Sequence, residues 1–168
     1  MWSAVRVDKD RIASNAQMPV AVDVLTEIVI ERPCDEVASY AANPDNAPAW
    51  YVNIKSVEWQ TPPAVSVGSK IAFVAQFLGR RLAYTYEIVE FSPGQRLVMH
   101  TAHGPFPMET TYTWETISAG RTRMTLRNRG TPSGFGVVMA PFMAMALRRA
   151  NRKDLARLKA ILEAETAF

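Results

Sequence analysis

Cysteine, histidine and long apolar runs are scarce in this chain of 168 residues. The single cysteine, Cys34, cannot form a disulfide within the chain, so nothing in the cysteine content indicates an oxidising compartment. The longest apolar-leaning stretch, residues 135–147, is too short to span a bilayer and contains Pro141. Residues 1–17 mix charges of both signs and lack the apolar centre of a signal peptide. We therefore expect a cytoplasmic protein.

Sequence motifs for metals, nucleotides and paired acids are also missing. The two histidines, His100 and His103, and one cysteine do not form a zinc-binding pattern. The segment 130–134 precedes a predicted helix but lacks the lysine and the spacing of a nucleotide-binding loop. No carboxylate falls on a predicted inner face, which disfavours a mechanism with paired carboxylates. We expect no metal and no cofactor.

The composition that remains is that of one soluble domain. Hydrophobic residues make up 48% of the chain and charged residues 21%, which excludes a disordered chain. The length is typical of one domain and is sufficient for a hydrophobic core. The sequence predicts a flexible N-terminal arm over residues 1–21, where little pattern is visible, and a single domain over residues 22–168.

Positive charge is concentrated near the C-terminus, although the net charge is only +3. Residues 1–120 contain 9 basic and 13 acidic side chains, whereas residues 121–168 contain 10 basic and 3 acidic side chains. We interpret the regular spacing of these basic residues as the exposed faces of a strand and a helix. A transient contact with an anionic membrane or an acidic partner is the alternative. Nucleic acid is not an expected partner, because no exposed aromatic residues interleave with the basic ones.

The periodicity of apolar residues predicts an α+β chain with one strand, two short helices, six further strands and a long C-terminal helix. The first helix ends at Asn43-Pro44, and the second covers residues 45–50. Apolar residues at three- and four-residue steps predict a helix from 135 to about 164, kinked at Pro141 or starting near it. Alternating patterns between turn signals predict strands at residues 24–31, 54–61, 68–78, 81–91, 96–102, 107–117 and 121–129.

The last predicted hairpin indicates which side of the sheet faces inward. Glu109 and Glu115 fall on one face of its first strand, and Tyr112 falls on the other. In the second strand, arginines alternate with apolar residues such as Met124 and Leu126. We expect the two glutamates to face arginines across the ladder on the outer side, with the apolar set inside.

Four short motifs occur together in this chain: IVIERPCDEV at 28–37, Asn43-Pro44-Asp45 followed by Trp50, SPGQRL at 92–97, and GRTRM at 120–124. With these motifs, roughly residues 22–165 resemble the START-like (SRPBCC) superfamily and, within it, the polyketide cyclase/dehydrase-like branch. The resemblance implies the helix-grip fold, in which a curved antiparallel sheet of about seven strands wraps around a long C-terminal helix. It also implies two short helices between the first two strands, and a cavity for a hydrophobic ligand between sheet and helix.

Aromatic and methionine side chains dominate the predicted inner faces. Such side chains either fill a core or line a pocket that adapts to irregular apolar ligands, and the resemblance favours the pocket. Inward tyrosine hydroxyls could orient a carbonyl or hydroxyl group of a ligand. The predicted ligand-binding residues are Phe73, Phe77, Tyr84, Tyr86, Met99, Met108, Tyr112, Trp114, Met124, Asn128, Met139, Phe142 and Met143.

The activity remains open at this point, because the family has no universal catalytic motif. The first hypothesis is the binding, transport or sequestration of a lipid, polyketide or similar hydrophobic small molecule. The alternative is a polyketide cyclase/aromatase or dehydratase without a cofactor. In that enzyme, tyrosines would polarise a carbonyl, and His103 would be either the general base or only a solvated turn residue. A second alternative is a module that contacts membranes or proteins through the basic C-terminal helix. We expect a monomer or a homodimer.

Overall fold

A computed structural model describes residues 22–131 and 139–164 of the chain. The predicted arm, residues 1–21, and the first part of the predicted C-terminal helix, residues 135–138, lie outside the described residues. In chain order the elements are β1 (Val22–Ile30), α1 (Cys34–Ala42), a 3-10 turn (Pro44–Asn46), α2 (Ala47–Trp50), β2 (Ile54–Trp59), β3 (Lys70–Phe77), β4 (Arg80–Ser92), β5 (Arg96–His103), β6 (Met108–Ser118), β7 (Arg121–Gly130) and α3 (Ala140–Ala164).

The seven strands form one antiparallel sheet in the order β1-β7-β6-β5-β4-β3-β2. Strands β2 to β7 follow one another in the chain, and β1 joins the sheet at the β7 edge. The sheet curls into a half-barrel, and the short helices α1 and α2 come between β1 and β2. The α+β helix-grip fold predicted from the sequence is confirmed.

Successive side chains of a strand point to opposite faces of the sheet, so the alternation of apolar and polar residues determines which face packs into the core. In β1, Val22, Val24 and Ile30 are buried, whereas Asp23 and Leu25 between them are exposed. β7 pairs with β1 in continuous register from Gly130 opposite Val22 to Thr122 opposite Ile30, so the two inner faces coincide. A one-residue slip would turn every one of these side chains to the wrong side, and the pattern therefore fixes the register.

The C-terminal part of α3 is seated on the sheet by three leucines at helical spacing. Leu155, Leu158 and Leu162 are almost completely buried in the main hydrophobic core. Beside them, the Lys159 ammonium donates to the carbonyl oxygen of Val29 in β1 at 2.7 Å. The helix begins at Ala140, immediately before Pro141, where a missing N–H costs no helical hydrogen bond. The predicted choice between a kink at Pro141 and a start near it depends on residues 135–138, which lie outside the described residues.

The outer face of the sheet carries the predicted charge pairs. Glu115 and Arg123 are opposite each other in β6 and β7, and their side chains are 2.9 Å apart. Glu109 lies opposite Arg129 in the register, but its carboxylate contacts Nε2 of His100 in β5 at 3.0 Å. These exposed pairs explain part of the C-terminal positive charge and contribute little to stability individually.

We expect the Leu158→Ala substitution to lower the free energy of unfolding by about 2–5 kcal/mol, because it leaves a cavity under α3. Leu25→Ala is the matched control, since Leu25 is 57% exposed and its loss should change stability by less than about 0.5 kcal/mol. Urea unfolding of both variants measures the difference. Equal losses in the two variants would contradict the seating of α3 through this face.

Candidate functional site

A cavity of about 620 Å³ lies between the inner face of the sheet and α3. All seven strands contribute to its wall, together with α1, α2 and α3. The wall is overwhelmingly apolar. The volume of the cavity lies within the range of pockets that bury small organic ligands. The resemblance implied such a space, and the structure contains it.

Eleven of the thirteen residues predicted to contact a ligand line this cavity. Strands β3 to β7 supply eight of them and α3, with the residue before it, supplies three. The cavity-lining set is Phe73, Phe77, Tyr84, Tyr86, Met99, Met108, Tyr112, Asn128, Met139, Phe142 and Met143. Their contact with a ligand remains a prediction, but the inner faces of the strands were assigned in the correct phase.

Trp114 and Met124 belong to the hydrophobic core and are not among the cavity-lining residues. They lie opposite each other in β6 and β7 and are 5% and 0% exposed. Val37 and Ala38 of α1 belong to the same buried cluster, so α1 covers this end of the inner face. Alternation had placed the two residues on the correct face, but it could not show which part of that face is covered.

An aromatic row forms one side of the cavity. The ring of Phe73 meets Tyr86 edge-on with centroids 5.8 Å apart, and Tyr86 lies 6.0 Å from Tyr84. Tyr84 in turn contacts the edge of Phe106 at 6.2 Å. Such edge-to-face contacts hold the rings in a fixed surface against which an apolar ligand can pack.

Tyrosine hydroxyls introduce polar groups into this apolar cavity. The hydroxyls of Tyr51 and Tyr112 are 2.5 Å apart, and the side chain of Thr110 opposes the effect of burial on the pKa of Tyr86. Burial raises the pKa of Tyr51, Tyr86 and Tyr112 well above the ordinary value of 10, so all three are neutral. They can donate or accept hydrogen bonds but do not act as phenolate bases. Tyr51, which directly follows α2, was not predicted from the sequence.

A carboxyl group also lines the cavity, which corrects the prediction that no carboxylate faces inward. Asp154 of α3 is 2% exposed, and its Oδ1 accepts a hydrogen bond from the backbone N–H of Val52 at 2.8 Å. Burial raises the pKa of Asp154 to about 6, against the opposing effects of this hydrogen bond and of Arg157. The group is therefore poised to gain or lose a proton near neutral pH. Asp154 lies on one helical stripe with Leu147, Asn151 and Leu158, but an acid within such a stripe is not ordinarily expected to be buried.

Two buried amides complete the polar groups on the wall. Asn128 of β7 is 5% exposed, and Asn151 of α3 is 2% exposed. Within the described residues, Oδ1 of Asn128 and Nδ2 of Asn151 have no hydrogen-bond partner. Only Asn128 was predicted to face the interior.

His103 does not reach the cavity. The expected inward phase with Leu97 and Met99 is interrupted by a β-bulge, because Tyr86 pairs with Thr101 while Thr85 pairs with His103. The extra residue moves His103 to the outer face, where its side chain is exposed. The structure therefore gives the predicted general base no contact with the site.

Exposed residues among those lining the cavity mark its opening. Leu78 is 52% exposed, Phe142 49% and Met139 43%, and Arg80 is exposed beside them. The exposed basic side chains of this part of α3 are those of Arg148, Arg149, Arg152, Lys153 and Arg157, of which Arg149 and Lys153 lie beside Leu78 and Phe142. Within residues 22–131 and 139–164, no helix is both long and apolar enough to cross a membrane. Contact with an anionic membrane through this basic face stays a prediction.

The described residues contain no group of three or more histidine, cysteine, aspartate or glutamate side chains that could hold a metal ion.

Comparison with known proteins identifies the family to which this chain belongs. The family model described as polyketide cyclase / dehydrase and lipid transport matches residues 21–163. The chain belongs to this family. A search of curated proteins found no match.

Solved structures with the same fold come from several bacteria. A START superfamily protein from Mycobacterium smegmatis superposes with a TM-score of 0.75 at 11% identity, covering 86% of this chain and 99% of that one. The Zhui aromatase/cyclase from Streptomyces sp. R1128 superposes with a TM-score of 0.72 at 15% identity, covering 84% of this chain and 93% of that one. The di-domain aromatase/cyclase BexL superposes with a TM-score of 0.70 at 22% identity, covering 87% of this chain and 48% of that one. At these identities the likeness shows the fold alone.

We expect Asp154→Asn to raise the melting temperature at pH 8 and to change it little at pH 4. The folded protein holds the Asp154 proton more tightly than the ordinary pKa of 3.8 allows, so this stabilisation is present below pH 3.8 and lost as the pH rises through about 6. The difference corresponds to about 3 kcal/mol at 1.36 kcal/mol per pKa unit. Asparagine retains an acceptor for Val52 and carries no charge.

Asp23→Asn is the comparison variant, for which we expect the pH dependence of the stability change to have the opposite sign. A hydrogen bond from Arg127 lowers the pKa of Asp23, so this variant should be less stable than the wild type at pH 8 and more similar to it at low pH. Thermal unfolding across about pH 2–8 measures both variants, because the stabilisation by Asp23 is lost only below its ordinary pKa of 3.8. A pH-independent effect of Asp154→Asn would contradict the raised pKa.

Proposed function

We propose that this protein binds a hydrophobic small molecule of the lipid or polyketide class inside the cavity between the sheet and α3. The observation that carries the proposal is the cavity of about 620 Å³ with its largely apolar wall. A void of this size costs stability unless it is occupied, because its lining atoms lack packing partners. Membership of a family that includes lipid transport supports the same function.

The charge of the wall narrows the class of ligand. Arg80 and Asp154 are the only charged side chains among the described lining residues, and Arg80 is exposed at the opening. The interior therefore offers aromatic, methionine and aliphatic surface, with a small number of hydroxyl, amide and carboxyl groups. Such a surface suits an uncharged apolar molecule that carries a few polar substituents.

Native mass spectrometry of the freshly purified protein, beside its denatured mass, tests this function directly. We expect a non-covalent adduct of a few hundred daltons that is lost on denaturation. Ala75→Phe should abolish most of the adduct, because Ala75 lines the cavity and a larger side chain fills it. Val74→Phe is the matched control, since Val74 is the neighbouring residue of β3 and is not among the lining residues.

An unliganded mass in native conditions is compatible with loss of ligand during purification, so a second measurement follows it. Decan-1-ol and 2-naphthol are titrated against a neutral fluorescent probe, N-phenyl-1-naphthylamine, in both variants. Binding that is equal in Ala75→Phe and Val74→Phe would contradict the cavity as the binding site.

The second candidate function is an enzyme that cyclises or dehydrates a poly-ketone chain in the same cavity. The observation that favours it is Asp154, a carboxyl group that lines the cavity and whose charge influences the hydroxyl groups of Tyr51 and Tyr112. The carboxylate would take a proton from the carbon next to a carbonyl, whose developing negative charge the tyrosine hydroxyls stabilise. The resulting enolate carbon would attack a second carbonyl, and the protonated carboxyl group would return its proton to the new alkoxide.

Turnover of a linear poly-β-ketone separates the two candidates. In an enzyme, Asp154→Asn should lower the rate of cyclised product formation by at least about a hundredfold with binding retained, since a positioned general base contributes roughly 10²–10⁴-fold. His103→Ala should leave the rate unchanged, because His103 is exposed on the outer face. A wild-type rate equal to the spontaneous rate would reject the enzyme and leave the binding protein.

A further inference from the structure

Exposed apolar side chains gather around the opening of the cavity. Nine large apolar side chains of the described residues are exposed, and five of them line the cavity or a hollow beside its opening: Val52, Leu78, Met139, Phe142 and Met145. The hollow has a volume of about 540 Å³ and shares Leu78 and Phe142 with the cavity wall. Single exposed apolar residues are ordinary, whereas a contiguous patch marks a surface that contacts a partner.

Leu78 lies at the tip of a hairpin in a backbone conformation that disfavours leucine. Phe77 of β3 pairs with Arg80 of β4, so Leu78 and Gly79 form a two-residue turn. Their φ angles are 50° and 74°, as in the type I′ turn, where asparagine and glycine are preferred. The Leu78 side chain is also 52% exposed. The fold itself gives little reason for a leucine at this tip, which is what we expect of a side chain that contacts a partner.

Basic side chains border the same patch. One face of α3 carries two apolar and two basic residues at three- and four-residue steps: Phe142, Met145, Arg149 and Lys153. Arg149 and Lys153 line the hollow together with Leu78, and none of the described residues that line it is acidic. Within residues 22–131 and 139–164 neither cation has an ion pair, whereas the arginines of β7 are paired with acids. The positive charge beside the opening is therefore uncompensated.

This combination of apolar surface and uncompensated positive charge matches an anionic lipid bilayer. Apolar side chains lower their free energy by entering the boundary between headgroups and acyl chains, while lysine and arginine are attracted to anionic headgroups. A partner that is only acidic would match the charges and leave the leucine, phenylalanine and methionine side chains in water. A bilayer accommodates both parts of the surface.

We propose that Leu78, Phe142, Met145, Arg149 and Lys153 form a docking surface that binds an anionic lipid bilayer, with the cavity opening toward the lipid. Because the docking surface borders the opening, an apolar ligand passes between bilayer and cavity without crossing bulk water. This passage rests on the proposed binding function, whereas the docking itself does not.

Co-sedimentation of the full chain with lipid vesicles, without added ligand, tests the docking. We expect binding to phosphatidylcholine vesicles with about 30% phosphatidylserine, and at least about tenfold weaker binding to phosphatidylcholine alone, because anionic lipid attracts basic residues near its surface. Raising the salt concentration from about 0.1 M to about 0.5 M should weaken the binding at least about fivefold, because salt screens this attraction.

A double variant, Arg149→Gln with Lys153→Gln, tests the position of the surface. It should weaken binding to the anionic vesicles about 25-fold, since each basic residue near such a surface contributes about fivefold. Arg123→Gln with Arg127→Gln is the matched control, because it removes the same charge from the outer face of the sheet, where both arginines are paired. The control should weaken binding less than about threefold, because distant charges are screened. Equal losses in the two double variants would overturn the assignment.

Leu78→Asn tests the apolar part of the docking surface and keeps the turn, because asparagine is preferred in this conformation. Binding to the anionic vesicles should weaken about tenfold with no fall in melting temperature, because the variant loses the transfer of a leucine side chain out of water. Val67→Asn is the matched control, since Val67 is 63% exposed and precedes the opposite end of β3. If Leu78→Asn binds as tightly as Val67→Asn, the proposed contact of the hairpin tip with lipid is wrong.

The remaining outcomes separate the docking from the proposed function. Absence of binding to the anionic vesicles overturns the docking, leaves the result of native mass spectrometry unaffected, and assigns the patch to a protein partner or a second copy of the chain. Equal binding to neutral and anionic vesicles overturns the role of the basic residues. If the vesicles are bound and no molecule enters the cavity, the docking stands and the passage of a ligand is rejected.

Discussion

The structure depends on how much of α3 is buried against the curled sheet. Leu155, Leu158 and Leu162 anchor the C-terminal part of the helix in the main core, next to the Lys159 contact with β1. The N-terminal part of α3 packs against the start of β1 and leaves the space between it and the strands β3 to β6 open. The leucines thus hold one end of the helix rigidly, so that its other end can form the wall of a cavity without collapsing onto the sheet.

The same apolar surroundings determine the chemistry of the polar groups inside. Desolvation disfavours charge, so the tyrosine hydroxyls remain neutral and the pKa of Asp154 rises to about 6. In water these groups would be ordinary solvated side chains. In the cavity each hydrogen bond that a ligand makes is stronger, and each one that it fails to make costs more. A small number of polar atoms can therefore discriminate between apolar ligands of similar shape.

The fold could be predicted from the sequence because alternation and turn residues are local signals, and the strands of the sheet are nearly all consecutive. Three details of the site could not be read in this way. A β-bulge at the end of β5 shifts His103 by one residue, and alternation alone carries no sign of the extra residue. Trp114 and Met124 are on the expected face, but their burial depends on the tertiary position of α1. Asp154 was not predicted to line the cavity, since a carboxylate in a buried stripe contradicts the ordinary preference of acids for solvent.

The residues that stabilise the fold and the polar residues that line the cavity are largely different sets in this molecule. The solved relatives share its architecture at 11–22% identity, so the architecture tolerates replacement of most side chains. The polar groups of the cavity come from separate elements: Tyr51 follows α2, Tyr112 lies in β6, Asn128 in β7, and Asn151 and Asp154 in α3. None of these five side chains belongs to the leucine anchor of α3, and only Asn128 lies in the β1–β7 ladder, which is held by backbone hydrogen bonds. We therefore expect substitution at these positions to change the proposed binding or reaction more than the packing of the leucine anchor.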